Sequence, residues 1–386
     1  MSEYDRDLAR IVEELNRAAP GGGPGRGEKQ SPPSFESLDR VLHQALRQNA
    51  SDILLVAGTG LVFRVNGELT QSAGTPLDSE DIRRLMLPLL TVAQVAEFEK
   101  RHSLDFCFER EGLGRFRANV HRQRGTVAAA IRLLPARIPS LESLHLPPTL
   151  ARLAERRKGL ILVTGAAGSG KSTTLAALID LINTKRRDHV VTIEDPVEYQ
   201  HQNRNSIVEQ IEVGTDAPDF ASALRGILRQ SPDVILVGEM RDAETMATAL
   251  SAAETGHLVF STLHTNDCPQ AVSRILDTFP AANQPQIRQQ LSLALLAVVA
   301  QQLVPAVDGA ARYPACEIMV ANDAVRNLIR RGEDHQLRSQ ITIGRADGMM
   351  TMEQSLAELV RAGRIARDSA LAHCFRPDDL RHHLAG

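Results

Sequence analysis

Four apolar runs, Leu160–Val163, Val190–Ile193 with a single Thr192, Val234–Val237 and Leu258–Phe260, are separated by stretches whose apolar positions recur at helical spacing. A strand buried on both faces has no polar side to show, so the pattern predicts a parallel sheet with crossover helices on both faces. One such helix is expected over Thr173–Asn183, with Leu175, Ile179 and Ile182 on its inner face. Upstream the texture changes. A helix over Leu38–Gln48 is followed by strands Asp52–Val56 and Val62–Val65, with Asn66-Gly67 as a hairpin turn. Helices over Ser79–Leu90 and Val92–Arg101 then precede strands Ser103–Phe108, Gly114–Gln123 and Thr126–Leu133. Pro135, Pro139, Pro147 and Pro148 mark a linker.

These patterns divide the chain into an α+β domain over 35–135, a linker over 136–149, an α/β domain over 150–345 and a helical C-terminal region over 346–386. Beyond about Gln301 the chain reads as helical and more polar, with Asn322 or Asp323 capping a helix that Gly332 stops. Tyr4, Leu8, Ile11, Val12 and Leu15 share one helical face ahead of a glycine-rich tether. A short amphipathic helix on a flexible extension over 1–34 is the expectation there.

At 386 residues there is room for two or three domains. A formal charge of -3 supplies no global basic field, and aromatics at 3% with no tryptophan offer little surface for base stacking, so nucleic acid is not an expected partner. Cys107, Cys268, Cys316 and Cys374 are scattered without a C-x-x-C pair, which favours a reducing cytoplasm over a zinc site or a disulfide framework. Charged residues near Met1 argue against an export signal, and Leu291–Ala300, read as the longest apolar helical stretch, is about half the length a bilayer demands.

The chemistry is concentrated after the apolar runs, where ligands of such sheets gather. Gly165-Ala166-Ala167-Gly168-Ser169-Gly170-Lys171-Ser172, followed by Thr173, fits G-x-x-x-x-G-K-[ST] between a strand and a helix. Backbone N–H groups and the helix start can wrap phosphates, Lys171 can reach the terminal ones, and the Ser172 hydroxyl can sit on Mg²⁺. This points to a nucleoside triphosphate with Mg²⁺. Glu194-Asp195-Pro196-Val197-Glu198 follows the second run and supplies carboxylates for orienting water and holding metal-bound water. After the third run Gly238 stands where an aspartate is common, leaving Glu239 as the expected contributor to the metal shell. His257 and His264 bracket the fourth run, and His264, at its carboxyl end, is the better placed to meet a γ-phosphate.

Taken together, GAAGSGKST at 165–173, TIEDPVEY at 192–199, ILVGEMRD at 235–242 and TGHLVFSTLHT at 255–265 resemble the type II/type IV secretion ATPase superfamily, most closely its PilT-type pilus retraction ATPases. The resemblance implies ATP as the triphosphate and a PAS-like N-terminal domain joined to a RecA-like P-loop domain in a hexameric ring. It further implies Glu198 as general base, Glu239 as the Walker B glutamate, His257 and His264 as a His-box pair, and Arg117 and Arg132 as nucleotide-reaching arginines, with Arg115 and Arg124 nearby. Ala324–Arg330 is similar to the AIRNLIR motif of retraction motors, and the tetracysteine loop of assembly and export ATPases is missing from the sequence. Ala166 and Ala167 stand in place of the usual Pro-Thr. The implied role is ATP-driven pilus retraction at the cytoplasmic face of the inner membrane, on a platform protein that supplies the membrane contact. An accessory role beside a paralogous motor, or one in pilus assembly or type II secretion, is the alternative.

Overall fold

A computed structural model describes residues 37–385 except residues 66 and 310, so the extension expected over 1–34 lies outside the described residues. Two sheets organise the chain. The first is six-stranded and antiparallel, in the order β3-β2-β1-β6-β5-β4. Its strands are β1 (Asp52–Leu55), β2 (Val62–Val65), β3 (Glu68–Gln71), β4 (Ser103–Arg110), β5 (Gly114–Gln123) and β6 (Thr126–Leu133). Along β5, Phe116, Ala118 and Val120 are buried while the residues between them stay partly exposed, the alternation of a sheet covered on one face. Helices Leu38–Arg47, Ser79–Met86 and Val92–Arg101 supply Leu42, Ile82 and Phe98 to that core.

The second sheet has seven strands in the order β13-β12-β7-β11-β10-β8-β9, parallel except for β13. Its members are β7 (Gly159–Thr164), β8 (His189–Glu194), β9 (Ile207–Glu212), β10 (Val234–Val237), β11 (Leu258–Leu263), β12 (Leu295–Pro305) and β13 (Arg312–Val320). The runs are apolar nearly throughout because the strands feed two cores. Leu160 and Leu162 pack against helices Phe220–Ile227, Ala243–Thr255 and Gln284–Ala294 on one face. Ile161 and Val163 pack against helix Lys171–Lys185 on the other. A RecA-like α/β domain thus follows a smaller α+β domain.

Two expectations fail beyond Leu291. The apolar stretch Leu291–Ala300 is the end of helix Gln284–Ala294 followed by the start of β12, and the segment after Gln301 continues as strand and hairpin before any helix forms. A buried strand and a buried helix both read as apolar runs, and here the run pairs with β7. Asn322 caps helix Asp323–Arg331 and Gly332, at φ 73°, closes it. No helix among the described residues is long and apolar enough to cross a membrane.

Helices Met352–Arg361, Arg367–His373 and Pro377–Ala385 pack on the far ends of β12 and β13 through Val304, Ala315, Leu356 and Leu380. Arg338 ties them down: it pairs with Glu353 at 2.9 Å, Glu317 at 3.6 Å and Asp379 at 3.6 Å, and the first two carboxylates are fully buried. Removing that cation leaves buried carboxylates unmatched. Arg338→Met should destabilise the parallel-sheet domain by about 3–5 kcal/mol, whereas Arg345→Ala, at a well-exposed pair, should stay within about 0.5 kcal/mol; thermal and urea unfolding of the two variants checks the contrast.

Candidate active site

Strand β7 ends at Thr164 and the next helix starts at Lys171, so the loop between them turns sharply. Gly165 (φ 148°) and Gly170 (φ 89°) hold conformations that side chains resist. Space is short as well. A Cβ on Gly165 would lie 2.3 Å from the Gln301 carbonyl oxygen, and one on Gly170 would lie 2.8 Å from Gln301 Nε2. Lys171 Nζ donates to the carbonyls of Gly165 and Ala166, both at 2.9 Å. Burial lowers its pKa, while Glu198 and Glu239 oppose that shift by their charge. Both carboxylates therefore lie within electrostatic reach of the ammonium group.

Lys171, Ser172, Glu198, Glu239, His264 and Arg117 line one cleft of about 340 Å³. Glu239 Oε2 lies 2.7 Å from Arg241 Nε and 3.6 Å from His264 Nε2, so the acid after β10 and the histidine after β11 meet across neighbouring strand ends. Gly238, in the place where an aspartate is common, has a steric reason. Its N–H donates to the Ile193 carbonyl at 2.7 Å, and a Cβ there would sit 3.0 Å from that same oxygen. Glu194 is turned inward, accepting from Thr192 Oγ1 at 2.7 Å and Gln210 Nε2 at 3.2 Å, and burial raises its pKa. Glu194, Asp195 and Glu198 all line the cleft, the Glu194 carboxylate being held by those two bonds. The Thr173 hydroxyl bonds Tyr199 OH at 2.9 Å, fastening the first helical turn to the same segment.

Two of the expected residues lie apart within one chain. His257 stands at the amino end of β11, its ring nitrogen on the Ala252 carbonyl at 3.0 Å, where it closes the preceding helix. Arg132 Nε donates to Asp52 Oδ1 at 2.9 Å. Neither lines the cleft that holds Arg117 and His264.

A family model described as Type II/IV secretion system protein matches residues 28–366. The chain belongs to this family. Among its relatives, the type IV pilus ATPase PilU of Pseudomonas aeruginosa is 41% identical over 347 residues, covering 90% of each chain. The type IV pilus retraction ATPase PilT of the same organism is 40% identical, covering 89% of this chain and 99% of its own. The crystal structure of the pilus retraction motor PilT with bound ADP superposes with a TM-score of 0.84 at 43% identity, covering 90% of this chain and 99% of that one. The Legionella pneumophila ATPase DotB follows at 0.77 and 27%.

Within this member of the family, the buttress of the phosphate loop escaped the reading of the sequence. Gln301, buried on β12, donates from Nε2 to the Ser169 carbonyl at 2.7 Å and accepts from Thr174 Oγ1 at 2.8 Å. Thr164 and Thr265 join the ends of β7 and β11 through hydroxyls 2.6 Å apart. The available signal was a polar residue directly after an apolar run, which taking the run for a helix concealed. His201 also lines the cleft, and burial, with Arg204 adding to it, lowers its pKa to about 4, so its imidazole is neutral at physiological pH. The contact at Gly238 is tight against backbone, without the positive φ of Gly165 and Gly170. Gly238→Ala is expected to cost about 1–3 kcal/mol by overpacking and to weaken ATP turnover by parting the ends of β8 and β10; unfolding and turnover at or above wild type would contradict it.

Proposed function

We propose that the chain is the ATP-hydrolysing subunit of a hexameric motor that retracts type IV pili, working at the cytoplasmic face of the inner membrane on a platform protein that provides the membrane contact. The observation that carries this reading is the convergence of Lys171, Ser172, Glu198, Glu239 and His264 from successive strand ends with Arg117 from the other domain. The relatives named PilT and PilU, and the twitching motility protein of Neisseria gonorrhoeae at 44% identity, support the pilus as the setting.

In this reading the loop N–H groups take the phosphates, and Lys171 exchanges the Gly165 and Ala166 carbonyls for phosphate oxygens. The residues also fit a hard cation, since Ser172, which is exposed, and Glu239 are oxygen donors lining one cleft. Mg²⁺ held there would neutralise charge on the phosphates. Glu198 accepts the proton of the attacking water, His264 contacts the γ-phosphate, and Arg117 brings positive charge from the N-terminal domain. His257 and Arg132 are assigned no contact with the nucleotide bound to their own chain. The six subunits alternate between open and closed arrangements of the two domains, and that motion is the output.

An accessory role on a paralogous motor is the second reading, favoured by an identity to PilU of 41% beside 40% to PilT and by Ala166-Ala167 in the loop. Turnover by the isolated protein separates the two. Glu198→Gln is expected to lower kcat by about 10²–10⁴-fold with nucleotide affinity retained, and cells carrying it should be piliated but immobile. Wild-type turnover in that variant, or cells without pili, would refute the retraction reading.

A further inference from the structure

Strand β5 presents Arg115 and Arg117 on one face, because Phe116 between them turns into the N-terminal core. Arg117 reaches the nucleotide cleft. Arg115 does something else. Its Nη1 donates to the Val197 carbonyl at 3.0 Å, and its Nη2 donates to Glu212 Oε2 at 3.3 Å. That same carboxylate oxygen accepts the backbone N–H of Val197 at 3.1 Å. Both backbone polar groups of the residue before Glu198 are thus held by one ion pair whose members come from different sheets.

The pair is built to hold. Its side chains are only 17% and 15% exposed, which removes it from the class of solvated surface pairs of small effect. Val197 is itself 5% exposed, so its carbonyl cannot swing away without lifting an apolar side chain out of the core. The Val197 carbonyl and the Glu198 N–H also share one planar peptide group. Gripping that carbonyl orients the plane on which the Glu198 Cα sits.

We infer that Arg115 is a positioning residue: seating of the N-terminal domain, transmitted through Arg115 to the Val197–Glu198 peptide, sets the Glu198 carboxylate in place for hydrolysis. This rests on the role given to Glu198 above. Arg115 is not among the residues lining the nucleotide cleft, so nucleotide binding by Lys171 and Ser172 is independent of it. Withdrawal of the N-terminal domain releases the peptide plane and stops hydrolysis while nucleotide stays bound. Hydrolysis then waits for domain closure.

Steady-state ATPase assays and fluorescent ADP titrations on the full chain and its variants provide the test. Arg115→Ala should lower kcat by about 10- to 100-fold, with KM for ATP and the affinity for ADP within about 2-fold. Arg115→Lys, which keeps one donor for the Val197 carbonyl, should recover part of the loss. Glu212→Gln should fall between, and combining it with Arg115→Ala should add little, because both break one crosslink. Wild-type kcat in Arg115→Ala, or a KM that rises while kcat holds, overturns the inference. If Arg115→Ala does not fold, an unchanged kcat in Glu212→Gln overturns it equally. Glu198→Gln separates the two levels: a normal loss there beside wild-type kcat in Arg115→Ala discards the positioning role alone, whereas wild-type turnover in Glu198→Gln removes the base itself.

Discussion

The cleft depends on the register of four parallel strands. Ile193 stands opposite Val237, Val237 opposite Ser261, and Val163 opposite Thr262, so the ends of β8, β10, β11 and β7 lie level. The phosphate loop, Glu198, Glu239 and His264 are carried on the segments that leave those ends. A slip of one residue between any pair would shift its group by about 3.3 Å and exchange the two buried faces of the strand. Side-chain hydrogen bonds across the ends hold the register: Ser261 to the Val237 carbonyl, Thr262 to the Gly238 carbonyl, and Thr164 to Thr265. Each satisfies polar groups that an apolar substitution would leave buried and unpaired.

A second constraint comes from outside the sheet. Strand β5 of the N-terminal domain sends one arginine to the cleft and another to the backbone beside Glu198. With both on one strand face, they advance and retreat together. In the proposed mechanism, domain closure thereby brings charge to the phosphates and fixes the carboxylate in a single movement. That arrangement suits a machine in which chemistry and domain motion have to be coupled.

Much of this could be read from the residues in order. The phosphate loop is contiguous, and its glycines, lysine and serine are required for reasons local to the loop. The carboxylate cluster Glu194–Glu198, Glu239 and His264 were nominated by one topological rule, that ligands collect at carboxyl ends of parallel strands, and the resemblance singled out Glu198 within the cluster. What escaped depends on partners distant in sequence. Gln301 is ordinary until β12 is known to pass behind the loop. β9, with Glu209, Gln210 and Glu212 among its apolar residues, is an edge strand whose pattern is too polar to stand out. Arg115 was one arginine among several on β5 and β6, and its partner Glu212 lies in the other domain. His257 and Arg132 were drawn in by resemblance alone, and within one chain their geometry gives them structural partners.

The central claim is that Lys171 exchanges loop carbonyls for phosphate while Glu198 and Glu239 gather about the outermost phosphorus. A crystal structure of the assembled ring with a non-hydrolysable ATP analogue and Mg²⁺ tests it most directly. The account predicts Lys171 Nζ within about 3 Å of phosphate oxygens, with both carboxylates facing the γ-phosphate in the closed subunits. Lys171 still bound to the Gly165 and Ala166 carbonyls beside bound nucleotide, or Glu198 turned away in every subunit, would contradict it.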